Sequence, residues 1–573
     1  MPRLRLLLAL TGALAGGSLY LLFRFGLEGI LGGRVVLAAM VFCGVFFSGL
    51  LALAGPIAYP RAAGRAAVLA LVVALLALWA SFRFDEVQGI LTSPGAVVSV
   101  LILSLVPLPF ILAEDSTSWR DYPALFAAAW GVVMRSTVAW VFVAILWAVI
   151  YLCHALLSLV GIDVIARVLE VPPTAWLITG TGLGLAMAVA LELAEFVSAY
   201  LVLRLLRLLL PVVLPVVVIF LIAVGVKGPG TVLAGFSIGA ILLLISGVSA
   251  TLVTAAVDQS DAEATHNRWM IRATQGLAVL LILPAGMAAW SVGTRVAAHG
   301  WTPDRLFAAT VAALGLGYGA TYLVAVLRGA GWMERVRQAN IWMALALMGA
   351  AVLWLTPVLD PERISTASQL ARLNAGAVTP AEFDWAALDS WGRAGAAARA
   401  RLQEQAKSDP ELAGALPSPG QGAGETPVDA AALRLALIRD LTVQPASAGP
   451  FRDQVIGLAA DADLQAWRQS CAIELPQGVP GCVMVAGDFL PELPGPEGLL
   501  IMAEPGGYLT YMGVAIQDGA LRLLQVDSAS GELANFGEGE RLIATLRAGL
   551  PTFRPVPRNE LVAPIGGALG LKP

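Results

Sequence analysis

The chain has 573 residues, 58% of them hydrophobic and 13% charged, with a mean hydropathy of +0.79 and a formal net charge of −4. That lies far from a soluble globular chain, where apolar residues make up about half. So small a charge, with no basic stripe carrying interleaved aromatics, gives no ground for a nucleic-acid partner. Of the 36 basic residues only Lys227, Lys407 and Lys572 are lysine, which reads as the codon bias of a GC-rich bacterial genome and not as phosphate chemistry.

Met1-Pro-Arg-Leu-Arg followed by a long apolar run has the look of a secretory signal. The run from Leu6 to Phe23 is longer than a usual signal core, however, and a second hydrophobic segment follows closely, so a retained first helix is expected. Apolar runs then recur through residue 358. The predicted spans are Leu4–Phe23, Val35–Ala54, Ala66–Phe82, Ala96–Ala113, Ser136–Val160, Ala175–Leu191, Leu208–Val226, Thr231–Val257, Ala273–Trp290, Leu306–Val326 and Ile341–Val358. Each has the length, about 17–25 residues, that a helix needs to cross roughly 30 Å of hydrocarbon. In lipid only helices and closed barrels satisfy the backbone, and runs this long mean helices.

With the N-terminus cytoplasmic, thirteen basic residues fall inside: Arg3, Arg5, Arg61, Arg65, Arg120, Arg135, Arg204, Arg207, Arg268, Arg272, Arg328, Arg335 and Arg337. Seven fall outside: Arg24, Arg34, Arg83, Arg167, Lys227, Arg295 and Arg305. The positive-inside rule favours that orientation. Eleven spans then leave the C-terminal region in the periplasm of a bacterial inner membrane.

Within the spans, Gly180-Thr-Gly-Leu-Gly184 lacks the preceding strand of a nucleotide-binding turn, and its G-x-x-x-G spacing, like that of Gly315 and Gly319, reads as close helix packing. Tryptophans 119, 130, 176, 269, 301 and 332 fit an interfacial belt. His154 beside Cys153 reads as a hydrogen-bonded core histidine, two residues being too few for a metal site. Glu192 and Glu195 share one helix face, and Arg204 and Arg207 follow at the same spacing. Ionisable groups in a span suggest a charge relay. The competing reading is that all four snorkel to the interface.

The region 359–573 reads as a soluble α+β domain behind the membrane domain 1–358, with a Pro- and Gly-rich linker near 408–428. Helical patterns are expected over 360–402, Ala430–Asp440 and Glu538–Leu550, and strands over Val483–Ala486, Leu499–Ala503, Tyr508–Ile516 and Leu521–Val526. Cys471 and Cys482 are this domain's only cysteine pair and it has no histidine. A disulfide in an oxidising compartment is therefore favoured over zinc. No cofactor is implied.

Two stretches carry a family resemblance. Arg295-Val-Ala-Ala-His-Gly-Trp-Thr-Pro-Asp-Arg-Leu-Phe307 enters the tenth span. Asn340-Ile-Trp-Met opens the eleventh, which ends in Thr356-Pro-Val-Leu-Asp-Pro-Glu-Arg-Ile-Ser-Thr-Ala-Ser-Gln-Leu-Ala-Arg-Leu373. Together they resemble a bacterial multi-pass membrane family known only as a domain of unknown function. The resemblance implies a topology and no activity. Members usually have tyrosine where this chain has His299, so no role is assigned to that histidine.

Physically, Thr302 and Pro303 suit a helix start and Asp304 its positive end. Pro357 and Pro361 end the last span. Arg295, Asp304, Arg305, Asp360 and Arg363 are expected to form a polar cluster that docks the soluble domain, with a ligand site as the alternative. Three functions follow: an envelope scaffold, sensor or assembly factor with an envelope protein partner; a transporter or lipid/glycan flippase; or a membrane enzyme using Asp304, Asp360 or Glu362 on a lipid-linked substrate. Membrane lipids surround the bundle in each.

Overall fold

The computed structural model describes residues 2–27, 29–160, 162–192, 199–227, 238–416, 430–475, 478–491, 493–504, 509–517, 519–528, 538–549, 552–555, 559–562 and 568–572. The membrane helices are α1 (Pro2–Leu27), α2 (Gly33–Leu53), α3 (Tyr59–Ser81), α4 (Pro94–Leu105), α5 (Pro107–Ser116), α6 (Tyr122–Ser158) and α7 (Thr174–Glu192). They continue as α8 (Ala199–Lys227), α9 (Ile238–Val257), α10 (Arg268–Leu280), α11 (Ile282–His299), α12 (Pro303–Leu327) and α13 (Trp332–Leu355). Among the described residues these make eleven spans long and apolar enough to cross a membrane. α4–α5 and α10–α11 each form one span that is broken in the middle. Pro107 and Pro284 lack the N–H that would bond four residues back, so the helix yields just before each. The start of the expected span at Thr231 lies outside the described residues.

Composition is divided by face. On α3 the alanines Ala62, Ala66 and Ala70 are fully buried, while Val68, Leu71, Val72 and Leu75 are half exposed, as befits a helix with lipid on one side. α1 and α7 approach most closely. A Cβ on Gly12 would stand 1.9 Å from the Gly180 carbonyl oxygen, and one on Gly184 would stand 2.0 Å from that of Leu8. Gly12 and Gly16 on α1 thus answer Gly180 and Gly184 on α7. Gly319 packs likewise on the backbone of Ile282, whose Cα would stand 2.7 Å from an added Cβ.

Beyond α13 a short 3-10 turn (Pro357–Leu359) leads into α14 (Pro361–Asn374) and α15 (Gly392–Ala406). Phe383, Trp385, Leu388, Trp391, Ala398 and Leu402 form a small core there. Contacts divide the chain into two compact units, Met1–Ala423 and Gly424–Pro573, so α14 and α15 belong with the spans.

The second unit is a mixed α/β module. Its helices are α16 (Ala430–Asp440), α17 (Gly449–Leu458), α18 (Asp461–Ala472) and α19 (Glu538–Ala548). Its strands are β1 (Thr442–Gln444), β2 (Glu474–Leu475), β3 (Val479–Pro480), β4 (Cys482–Gly487), β5 (Glu497–Ala503), β6 (Leu509–Gln517), β7 (Ala520–Ser528), β8 (Thr552–Pro555), β9 (Asn559–Val562) and β10 (Ala568–Lys572). The main sheet runs β1-β4-β5-β6-β7-β10-β9-β8, antiparallel except where β1 pairs with β4. Alternation along β4 and β5 sends Met484, Leu500 and Met502 to a core with α16–α18, and Val483, Val485, Leu499 and Ile501 to one with α19.

Candidate functional site

Antiparallel spans place their ends alternately at two faces. Every long-range polar tie between span ends described below joins ends of the same parity, as a stack of eleven alternating spans requires. Buried arginines make most of these ties, and each reaches the C-terminal carbonyls of a neighbouring helix, which lack intrahelical donors and carry the negative end of the macrodipole.

At the face where α3 and α13 end, Arg83 Nη2 donates to the carbonyls of Trp354 (2.6 Å) and Thr356 (2.8 Å). Its guanidinium also lies 3.5 Å from Glu362 and 3.8 Å from Asp360. Asp360 caps α14 by accepting from Arg363 N at 3.0 Å. Burial raises the Glu362 carboxyl to about 7; Arg83 opposes that shift and Asp360 adds to it. One cation thus serves two carboxylates, beside a cavity of about 250 Å³ that Arg363 and Arg393 also line. Arg393 N donates to the Arg83 carbonyl at 2.8 Å, and its side chain pairs with Asp85 at 3.0 Å.

The two stretches that carry the resemblance meet on this face through other residues than the five expected. Gln369 Nε2 donates to the carbonyls of His299 (2.8 Å) and Trp301 (3.0 Å), and Trp301 N donates to Ser368 Oγ at 3.0 Å. Thr302 caps α12 through Arg305 N, and Arg305 Nη1 turns back onto the Gly300 carbonyl at 2.7 Å. Arg305 lines a cavity of about 350 Å³ with Arg372, Glu382 and Asp384, whereas Asp360 and Arg363 line the smaller one. Arg295 and Asp304 are exposed. Three of the five are therefore divided between two cavities, Arg295 and Asp304 line neither, and Arg83 and Glu362 supply the buried charges. Arg83 carries one sequence signal, a lone arginine directly after an apolar run on the arginine-poor side.

At the opposite face Glu192 pairs with Arg5, at the start of α1, with Arg5 Nε donating at 2.8 Å. Its counter-ion is thus not one of the arginines that follow it in sequence. Glu195 lies outside the described residues. Arg207 pairs with Asp258 and donates to the carbonyls of Ala255 and Glu263, both at 2.8 Å. Arg204 also has a partner. Arg337 reaches the same helix end, donating to Val257 O (3.0 Å), Asp258 O (3.2 Å) and Asp261 Oδ1 (2.7 Å). Asp258 adopts φ 52°, an unusual left-handed turn for a non-glycine residue, and its Oδ1 accepts from Gln259 N at 2.7 Å. Arg61 and Arg65 share Asp115, at 3.3 and 2.8 Å.

Arg135, counted among the cytoplasmic arginines just ahead of the expected span Ser136–Val160, lies well inside α6 and is 8% exposed. The 37 residues of α6 extend about 55 Å, beyond the roughly 30 Å hydrocarbon core. One turn in from this Arg337 cluster, Asn340 joins four helices. Its Nδ2 donates to Tyr122 OH (3.0 Å) and Thr254 Oγ1 (3.4 Å), and its Oδ1 accepts from Tyr322 OH at 2.5 Å. His154 Nδ1 is buried without a hydrogen bond, contrary to the core role expected of it. Among the described residues no three His, Cys, Asp or Glu side chains come together to hold a metal ion.

In the second unit Cys471 and Cys482 are joined as a disulfide, Cα–Cα 4.8 Å, tying the end of α18 to the start of β4. Arg547 Nη1 braces the join by donating to the carbonyls of Cys482 (2.6 Å) and Asp440 (3.0 Å).

An eleven-span helical bundle with arginine-clamped ends and an appended α/β unit defines a polytopic membrane protein. The chain belongs to the family described as Domain of unknown function (DUF4153), which it matches over residues 36–402. That interval runs from α2 into α15 and includes both faces' arginine clusters. No curated protein and no solved structure matches the chain.

Proposed function

We propose that this chain is a bacterial inner-membrane protein with a cytoplasmic N-terminus and a periplasmic C-terminal unit, acting as an envelope scaffold, sensor or assembly factor through that unit. The observation that carries the reading is the Cys471–Cys482 disulfide, since such bonds persist in oxidising compartments. The arginine-rich face at the N-terminal ends of α1 and α3 supports the same orientation. A module with its own two-sided core has the surface a partner protein needs.

A transporter or flippase is the second reading. It is favoured by a cavity of about 870 Å³ opening among the helix ends at the arginine-rich face.

The test is thiol labelling in intact cells with a membrane-impermeant maleimide, with and without prior reduction. Labelling of Cys471 and Cys482 only after reduction supports the periplasmic reading. Labelling only in broken cells, without reductant, overturns it. The scaffold role is tested by ending the chain at residue 423. A product that still inserts and still supports the wild-type envelope phenotype rules out a role through the second unit.

A further inference from the structure

The four arginine clamps share a design, and one is incomplete. Arg83 has Glu362 and Asp360, Arg207 has Asp258, and Arg337 has Asp261 and Glu334. Arg135 donates from Nε to Gly131 O at 3.0 Å and from Nη2 to Ala52 O, at the end of α2, at a long 3.3 Å. Its Nη1 is buried with no hydrogen-bond partner, and among the described residues no carboxylate pairs with it. A guanidinium cannot shed its proton, so burial cannot be relieved by neutralisation. A buried charge without a partner is strongly destabilising.

Arg135 lines the cavity of about 870 Å³ at the arginine-rich face. Of the three acids on that wall, Asp115 is committed to Arg61 and Arg65 and Asp258 to Arg207, while Glu263 is exposed at the rim. Much of the remaining wall is apolar, including Phe126, Trp130, Met134 and Leu203. A cavity of this size with apolar walls and one uncompensated cation fits a molecule with an anionic head and a hydrocarbon body.

We infer that the cavity is a binding site for an anionic membrane phospholipid whose phosphate takes the place of the missing carboxylate on Arg135. Entry of the phosphate turns the guanidinium so that Nη1 and Nη2 form a two-pronged contact, exchanging the long bond to Ala52 O for charge-assisted ones. The acyl chains lie against Phe126, Trp130 and Leu203. The shared chemistry with a free phosphate is the head group alone, and the apolar wall favours the lipid.

The test uses the full chain, purified and delipidated in detergent, with thermal unfolding as the readout. The probes are phosphatidylglycerol, diacylglycerol of the same acyl chains, and inorganic phosphate. Phosphatidylglycerol is expected to raise the Tm of the wild type by several degrees and the other two to leave it unchanged. Arg135→Met is expected to abolish the shift, and Arg268→Met, at an exposed arginine of the same face, to keep it. Ala127 is exposed and lines the cavity, so Ala127→Trp blocks the space without disturbing a packed core. This variant is expected to lose the shift, and it decides the matter if Arg135→Met does not fold. An equal shift in Arg135→Met, a shift retained by Ala127→Trp, or no shift in the wild type overturns the inference. A shift with inorganic phosphate as large as with phosphatidylglycerol overturns the lipid assignment.

Discussion

The guanidinium of Arg83 stands 3.5 Å from the carboxylate of Glu362, 279 residues further along the chain. With its bonds to the Trp354 and Thr356 carbonyls, this contact fastens the end of α3 to the end of α13 and to the start of α14. Arg83→Met removes the one cation that, among the described residues, pairs with Glu362. Unfolding in detergent is expected to show a loss of about 3–5 kcal/mol, the usual cost of breaking a buried pair from one side. Adding Glu362→Gln should recover part of that loss, and a double variant no better than the single one would argue against the pair.

The same carboxyl makes stability depend on pH. Burial raises Glu362 from 4.5 to about 7 in the folded chain. The folded state therefore binds this proton more tightly than the unfolded one. Its contribution to stability is fully present below pH 4.5 and is lost as pH rises through about 7. The wild type should lose stability relative to Glu362→Gln, by a few kcal/mol, between about pH 5 and 8. Parallel Tm profiles for the two proteins across that range would refute the shift.

Helix contact through glycine gives a sharper steric prediction. A Cβ on Gly180 would lie 2.0 Å from the Gly12 carbonyl oxygen, a backbone atom that cannot swing aside as a side chain can. Gly180→Val is expected to cost at least about 1–3 kcal/mol by overpacking. Gly17, whose added Cβ would meet only Leu177 Cδ2 at 3.6 Å, is the control, and Gly17→Ala should be close to neutral. Comparable Tm values for the two variants would mean that α1 and α7 do not meet in this register.

Asn340 is the hub of an interhelical network with Tyr122, Thr254 and Tyr322 near the arginine-rich face. Asn340→Leu keeps most of the volume but leaves these hydroxyls short of a partner. A loss of about 1–2 kcal/mol is expected, in the range for interhelical hydrogen bonds in membranes. Asn340→Gln, which keeps both amide functions, should fall between the two. Unfolding in detergent micelles compares them directly.

Much of the architecture was legible in the chain because membrane helices are selected by a one-dimensional property, the length of an apolar run. That is why the eleven spans can be read from the chain; Thr302-Pro303 adds the local signal of a helix start, whereas Asp360-Pro361, read as the end of a span, caps the next helix. The breaks at Pro107 and Pro284 carry a local signal too, although run length alone hides them. In the second unit the central strands could be read from their apolar texture. β1–β3 and β8–β10 escape such a reading because they are short and their apolar texture is weak.

Charge partners are another matter. Glu192 and Arg207 lie 15 residues apart, and sequence proximity suggested a single relay. In the fold Glu192 meets Arg5 and Arg207 meets Asp258, because antiparallel spans bring distant helix ends to one face. Sequence alone determined that this chain carries eleven apolar runs long enough to cross a membrane and a cysteine pair close enough to join, since both follow from local length and spacing. Only tertiary structure decided that Arg83 would hold Glu362 and that Arg135 would be buried with no carboxylate on it among the described residues. Those outcomes depend on which helix ends become neighbours, and the packing of whole helices sets that.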